Sequence, residues 1–100
     1  MRAVAVALMC CMPSIASAYD TGGWTCAEVG QMASILVMQR DSGMSAPDAL
    51  ARDTHVFVKN RTQGLVMAKI AGQIWSAPFA AELTPDGAAQ SYQADCEAQR

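Results

Sequence analysis

Residues 25–43 read TCAEVGQMASILVMQRDSG, and their pattern decides the fold class. Thr25 and Glu28 stand three apart, the spacing of a capping box. In that motif a hydroxyl and a carboxylate satisfy backbone N–H groups left free at a helix start. Trp24 precedes the cap, where an apolar side chain can staple back onto the helix. From Cys26 onward, Val29, Met32, Ala33, Leu36 and Val37 recur in steps of three and four, the period of one buried helix face. Arg40, Asp41 and Ser42 are polar, and Gly43 suits the left-handed residue that closes a helix. A first helix is predicted over 26–42.

The same grammar repeats downstream. Ser45, Pro47 and Asp48 form a cap, a first-turn proline and an acid at the positive end of the helix dipole. The helix they start has a thin apolar stripe through Leu50 and Phe57, completed by Ala46 or Asp53. Residues 55–58, His-Val-Phe-Val, have strand propensity, but a lone four-residue strand has no partner, so helix is expected. Asn60-Arg61-Thr62 reads as a break. Residues 65–75, LVMAKIAGQIW, are the most apolar segment after residue 18 and predict the most buried helix. Residues 76–83 contain Pro78 and read as a loop or short turn. Thr84, Pro85 and Asp86 start a last helix that passes Ala88, Ala89, Tyr92 and Cys96. Four helices on short connections imply an all-α, small four-helix bundle-like domain in antiparallel order.

Upstream, Met1–Ala18 has Arg2, an apolar run over 3–12 and a closing Ala16-Ser17-Ala18, the layout of a secretory signal peptide. The run is about half the roughly 20 residues a membrane-spanning helix needs. Removing 18 of 100 residues leaves 82, a single domain over 19–100, with Tyr19–Trp24 as a flexible lead-in. Cys10 and Cys11 leave with the leader, unless one of them is lipidated. Of 52 apolar residues 14 are lost, and 38 of 82 is ordinary for a globular domain. Arg2 also leaves, so six cations face nine acids, a net −3 that argues against nucleic acid. The expected location is periplasmic or secreted. There an even cysteine count reads as a disulfide, and Cys26 with Cys96 is the one pairing two residues permit. It closes a loop of about 70 residues, worth around 4 kcal/mol in the chain-entropy picture. In an up-down-up-down bundle both cysteines fall at the same end.

Candidate chemistry is sparse. His55 is the single histidine, which excludes multi-histidine metal centres and histidine relays. Ser42 and Ser45 are explained by helix ends, and Asp48 with Arg52 has the i,i+4 spacing of a surface ion pair. No catalytic residue, metal site or cofactor is expected. Asn60-Arg61-Thr62 matches the N-glycosylation acceptor. Arg52, Lys59, Arg61 and Lys69 cluster against Asp53 alone, whereas Glu82, Asp86, Asp95 and Glu97 have no cation among them. The two sets are either complementary surfaces within one bundle or a charged docking face. Trp24, Met44, Phe79 and Leu83 lie in or beside connections, where they either cap the core or form an apolar binding patch.

Trp24-Thr25-Cys26 at the start of the first helix resembles the corresponding start in HdeA-type periplasmic acid-stress chaperones. Size, leader and cysteine count are similar too. The resemblance implies an α-helical, single-disulfide protein that binds unfolded clients in acid; here Cys96 stands nearer the C-terminus than in that family. Two functional expectations follow. The first is a non-enzymatic exported domain that binds an unknown protein partner, inhibitor or immunity-like, through Trp24, Met44, Phe79, Arg52, Lys59 and Arg61. A homodimer is a further possibility. The second is an acid-activated chaperone, since titrating the acids near pH 4 turns −3 into about +6 or +7.

Overall fold

Each cap written in the sequence is used. Thr25 caps α1 (Cys26–Asp41), its hydroxyl accepting the Glu28 N–H while the Glu28 carboxylate accepts the Thr25 N–H at 2.8 Å. α1 closes in a Schellman motif: Gly43, at φ +95°, donates to the Arg40 carbonyl and Met44 donates to that of Gln39. Ser45 caps α2 (Ala46–Phe57), which keeps residues 55–57 helical and ends at the extended Val58. α3 spans Arg61–Ser76, Pro78–Glu82 form a short 3-10 turn, and Thr84 caps α4 (Pro85–Ala98). This computed structural model describes residues 20–76 and 78–99, with Phe79 as backbone alone. The expected leader, with Cys10 and Cys11, lies outside them.

The chain is a small all-α domain, and α1 is its centre. It runs along α4 on one side and touches α3 and α2 on the other, while α4 reaches α3 through side chains, Tyr92 to Gln73. The Cys26–Cys96 disulfide joins the first residue of α1 to the end of α4, with the Cα atoms 5.4 Å apart. Gly30 lies one turn further along, opposite Ala89 and Gln93. These pairings make α1 and α4 antiparallel, as the sequence order implied. Small residues permit the approach, since Gly30, Ala33 and Ala88 are buried at these faces. The core continues through Val29, Leu36 and Val37 to Met67, Ile70 and Ile74 of α3.

Two expectations are corrected. The most apolar segment is not the most buried, because several of its apolar residues fall outside its contacts with α1, α2 and the 3-10 turn. Leu65 is 59% exposed, and Ala68 and Gly72 also face outward. α1, covered on both flanks, buries Cys26, Val29, Gly30, Met32, Ala33, Leu36 and Val37. The Asp48–Arg52 ion pair does not form; among the described residues the one ion pair is Arg40–Asp41, at 3.0 Å.

Polar groups hold the far end of α1. The Arg40 guanidinium donates to the carbonyls of Ile74 (3.3 Å), Ala80 (2.5 Å) and Leu83 (3.2 Å). It thereby ties the end of α3 and the 3-10 turn to α1 by charge-assisted bonds. The Trp75 indole N–H reaches the Met44 carbonyl at 3.1 Å. Asp53, 2% exposed, accepts one bond from Gln39 Nε2 at 2.8 Å. Asp53 Oδ2 and Gln39 Oε1 are buried without a donor.

Two stability measurements check this packing. A Cβ at position 30 would stand 2.5 Å from the Ala89 carbonyl oxygen. Gly30→Ala gains up to about 1 kcal/mol of helix preference, but overpacking costs about 1–3 kcal/mol. A lower urea midpoint is therefore expected, and a stabilised variant would show that α1 and α4 have room to separate. Asp53→Asn keeps the acceptor for Gln39 and removes a buried charge that lacks a second partner. Leaving such a group unsatisfied costs about 1–3 kcal/mol, so the variant should be more stable at pH 7, and an equal or lower midpoint would contradict this reading.

Candidate protein-binding groove

The lead-in is not a loose tail. Asp20 Oδ1 accepts the Gly22 N–H at 2.8 Å, and Thr21 Oγ1 donates to the Trp24 carbonyl at 2.5 Å. Gly22 and Gly23 take φ of +69° and +101°, turning the chain sharply into α1. The Gly22 carbonyl accepts two side-chain amides, Asn60 Nδ2 and Gln63 Nε2, each at 2.9 Å. Gln63 is nearly buried, and its Oε1 accepts the Lys59 N–H at 2.8 Å. Asn60 Oδ1 in turn accepts the Gln63 N–H, capping α3. The expected break at residues 60–62 is thus a helix start and a tether. Both polar atoms of Asn60, the glycosylation candidate, are engaged in it.

This clamp shapes a groove of about 450 Å³ between the start of α1 and the α2–α3 connection. Its apolar lining comes from Trp24, Met32, Phe57 and Val56, and its polar lining from Glu28, Gln31, Lys59 and Gln63. Val56 is 51% exposed at the rim, while Trp24 and Phe57 are half-buried against the core. One oxygen of Glu28 is committed to the Thr25 N–H, whereas Lys59 is exposed and its side chain has no partner among the described residues. Among the described residues the groove lining holds no nucleophile–base pair. It offers what recognition needs: an apolar floor with a few polar groups at its edge. A second hollow of about 110 Å³ lies between Ile70 and Tyr92, where the Tyr92 hydroxyl donates to Gln73 Oε1 at 2.6 Å.

Of the six residues proposed from sequence for partner binding, the groove unites Trp24 and Lys59. Arg52 is exposed one turn before Val56, on the same side of α2, and Arg61 is exposed at the start of α3. Met44 lies at the opposite end of α1, packed against the core. Phe79 falls in the 3-10 turn, and its side chain lies outside the described residues. Leu83 packs on the core as an end cap. Sequence reasoning missed Phe57, Val56 and Gln63 as lining. The run at 55–58 held a signal for the first two, since consecutive apolar residues cannot all share one buried face. Gln63 carried none.

The two charged sets are not joined by ion pairs among the described residues, although Lys69 and Asp95 line the same hollow. Glu82, Asp86, Asp95 and Glu97 are exposed on α4 and the turn before it, and no described ion pair links them to Arg52, Lys59, Arg61 or Lys69. Among the described residues no helix is long and apolar enough to cross a membrane, and no group of three or more His, Cys, Asp or Glu side chains could hold a metal ion. The chain matches no protein-family model, no curated protein and no solved structure.

Gly22→Ala tests the clamp. A Cβ would come within 2.7 Å of Asn60 Oδ1 and 2.8 Å of the Gln63 backbone nitrogen, at a φ that disfavours side chains. A loss of about 1–3 kcal/mol is expected, with a change in Trp24 fluorescence. A variant with wild-type midpoint and spectrum would show that the lead-in does not depend on this contact.

Proposed function

We propose that the protein is an exported, non-enzymatic domain that works by binding another protein, inhibitor or immunity-like, through the groove between α1 and the α2–α3 connection. The observation that carries the reading is the junction of Trp24, Met32, Phe57 and the half-exposed Val56 with Lys59, which has no ion pair among the described residues, at one open surface. Buried aromatic anchors ringed by polar groups are where interface energy concentrates. The disulfide supports the exported setting, because such bonds persist in oxidising compartments.

Placing a photo-crosslinking amino acid at position 56, with the exposed Gln90 of α4 as control position, tests the assignment in the native host. A discrete adduct with one other protein from position 56, and none from position 90, is expected. Equal adducts from both positions, or none from either, would contradict it. Light scattering with circular dichroism at pH 7 and pH 2.5 separates the rival. A helical species whose mass and compactness are the same at both pH values is expected, whereas loosening in acid with suppression of client aggregation would favour the acid-activated chaperone.

A further inference from the structure

We propose that the groove takes a segment of an acidic partner protein, one that presents one or two large apolar side chains flanked by carboxylates; this rests on the protein-binding reading above. The volume sets the apolar part. About 450 Å³ lies toward the small end of ligand pockets, roughly 300–1,000 Å³, which suits a pair of side chains from an anchored segment. Trp24, Met32 and Phe57 offer those side chains an apolar floor, and Val56 is already half out of it.

Charge sets the rest. Arg52, His55 and Val56 stand at i, i+3 and i+4 on one exposed face of α2, and Lys59, two residues past the end of the helix, lines the groove with Val56. Arg61 stands exposed just beyond, at the positive end of α3, where the first turn holds no acid. None of Arg52, Lys59 or Arg61 has an ion pair among the described residues. No acid nearby is ion-paired with these cations among the described residues. Asp20 accepts the Gly22 N–H, Glu28 accepts the Thr25 N–H, Asp48 sits in the first turn of α2 and Asp53 is buried against Gln39. The acidic set on α4 is exposed, and no ion pair among the described residues links it to these cations. An approaching carboxylate therefore meets three exposed cations without ion pairs, against the single Glu28 carboxylate in the lining and beside an apolar floor, an arrangement that selects by sign and steers association.

The probes are four ten-residue peptides, studied by amide and indole NMR of the oxidised protein. Three share a Leu-Phe pair flanked by Glu, by Lys or by Ser, and the fourth has the Glu flanks without the pair. The Glu-flanked Leu-Phe peptide is expected to shift the Trp24 indole and the Lys59 and Gln63 amides, and to weaken as salt rises from about 50 to about 300 mM. The Trp75 indole is the internal control. Arg52→Glu with Lys59→Glu, both at exposed positions, should weaken it at least about tenfold while leaving the circular dichroism spectrum unchanged. Equal binding by the Lys- or Ser-flanked peptide overturns the acidic partner and leaves the groove reading standing. A position-56 adduct in the host with no peptide response has the same meaning. Groove shifts caused by phosphatidylglycerol vesicles rather than by peptides overturn the proposal in favour of a lipid surface. No adduct and no response overturn this proposal and the binding reading together.

Discussion

The contact between α1 and α4, closed at one end by Cys26–Cys96, is the constraint on which the other packing decisions rest. α4 brings little of its own to the core, burying Ala88 and Cys96 while most of its residues are small or polar. Burial of about 25 cal/mol per Å² cannot hold strongly a helix with so few large apolar side chains. A crosslink over a 70-residue separation removes about 4 kcal/mol of unfolded-state entropy. Once the bridge sets the register, Gly30 meets the Ala89 carbonyl and the two backbones approach as closely as small residues allow. α1 is then covered on that flank, and its other apolar positions have to be covered by α2 and α3.

On the second flank, order comes from polar groups at the two ends of α1. At its start, Gln63 joins the Gly22 carbonyl to the Lys59 N–H, so one amide fixes the lead-in, the α2–α3 connection and the first turn of α3. At its end, Arg40 gathers three carbonyls from α3, the 3-10 turn and the segment before α4. Carbonyls at helix ends have no intrahelical partner and must find one elsewhere. A small core has few apolar side chains with which to orient its helices, and directional bonds at both ends do that work here.

The helix boundaries were legible in the sequence because caps are local. Thr25 with Glu28, Ser45 with Asp48 and Thr84 with Gly87 all act within three residues. Burial was less legible, because it depends on which neighbour covers a face. Leu65 is apolar and points outward, while Asp53 is charged and points inward. Nothing within a few residues of either announces this. The lead-in is the clearest case. Its glycines suggested mobility, yet the groups that hold it lie 38 and 41 residues away in the chain. The candidate site shares that limit: Trp24 and Lys59 were recognisable by residue type, but their meeting with Phe57 and Met32 is a product of the fold.

The two flanks of α1 are unequal, and the groove lies on the weaker one. The α4 side has a covalent bridge and close backbone packing. α2, by contrast, fully buries only Ala49 and Asp53 among its residues, touches α1 slightly, and holds its inward carboxylate by a single hydrogen bond. Elements with few buried apolar contacts open at lower free energy than the rest of a domain. A ligand seated between α1 and the end of α2 would bury Val56 and Phe57 further, adding apolar contact where the fold has least. Binding free energy and local stability are then linked, because whatever favours the closed position of α2 also favours the occupied groove. A disulfide-fixed flank beside a lightly held one allows the surface to adapt around an occupant without loosening the core that positions it.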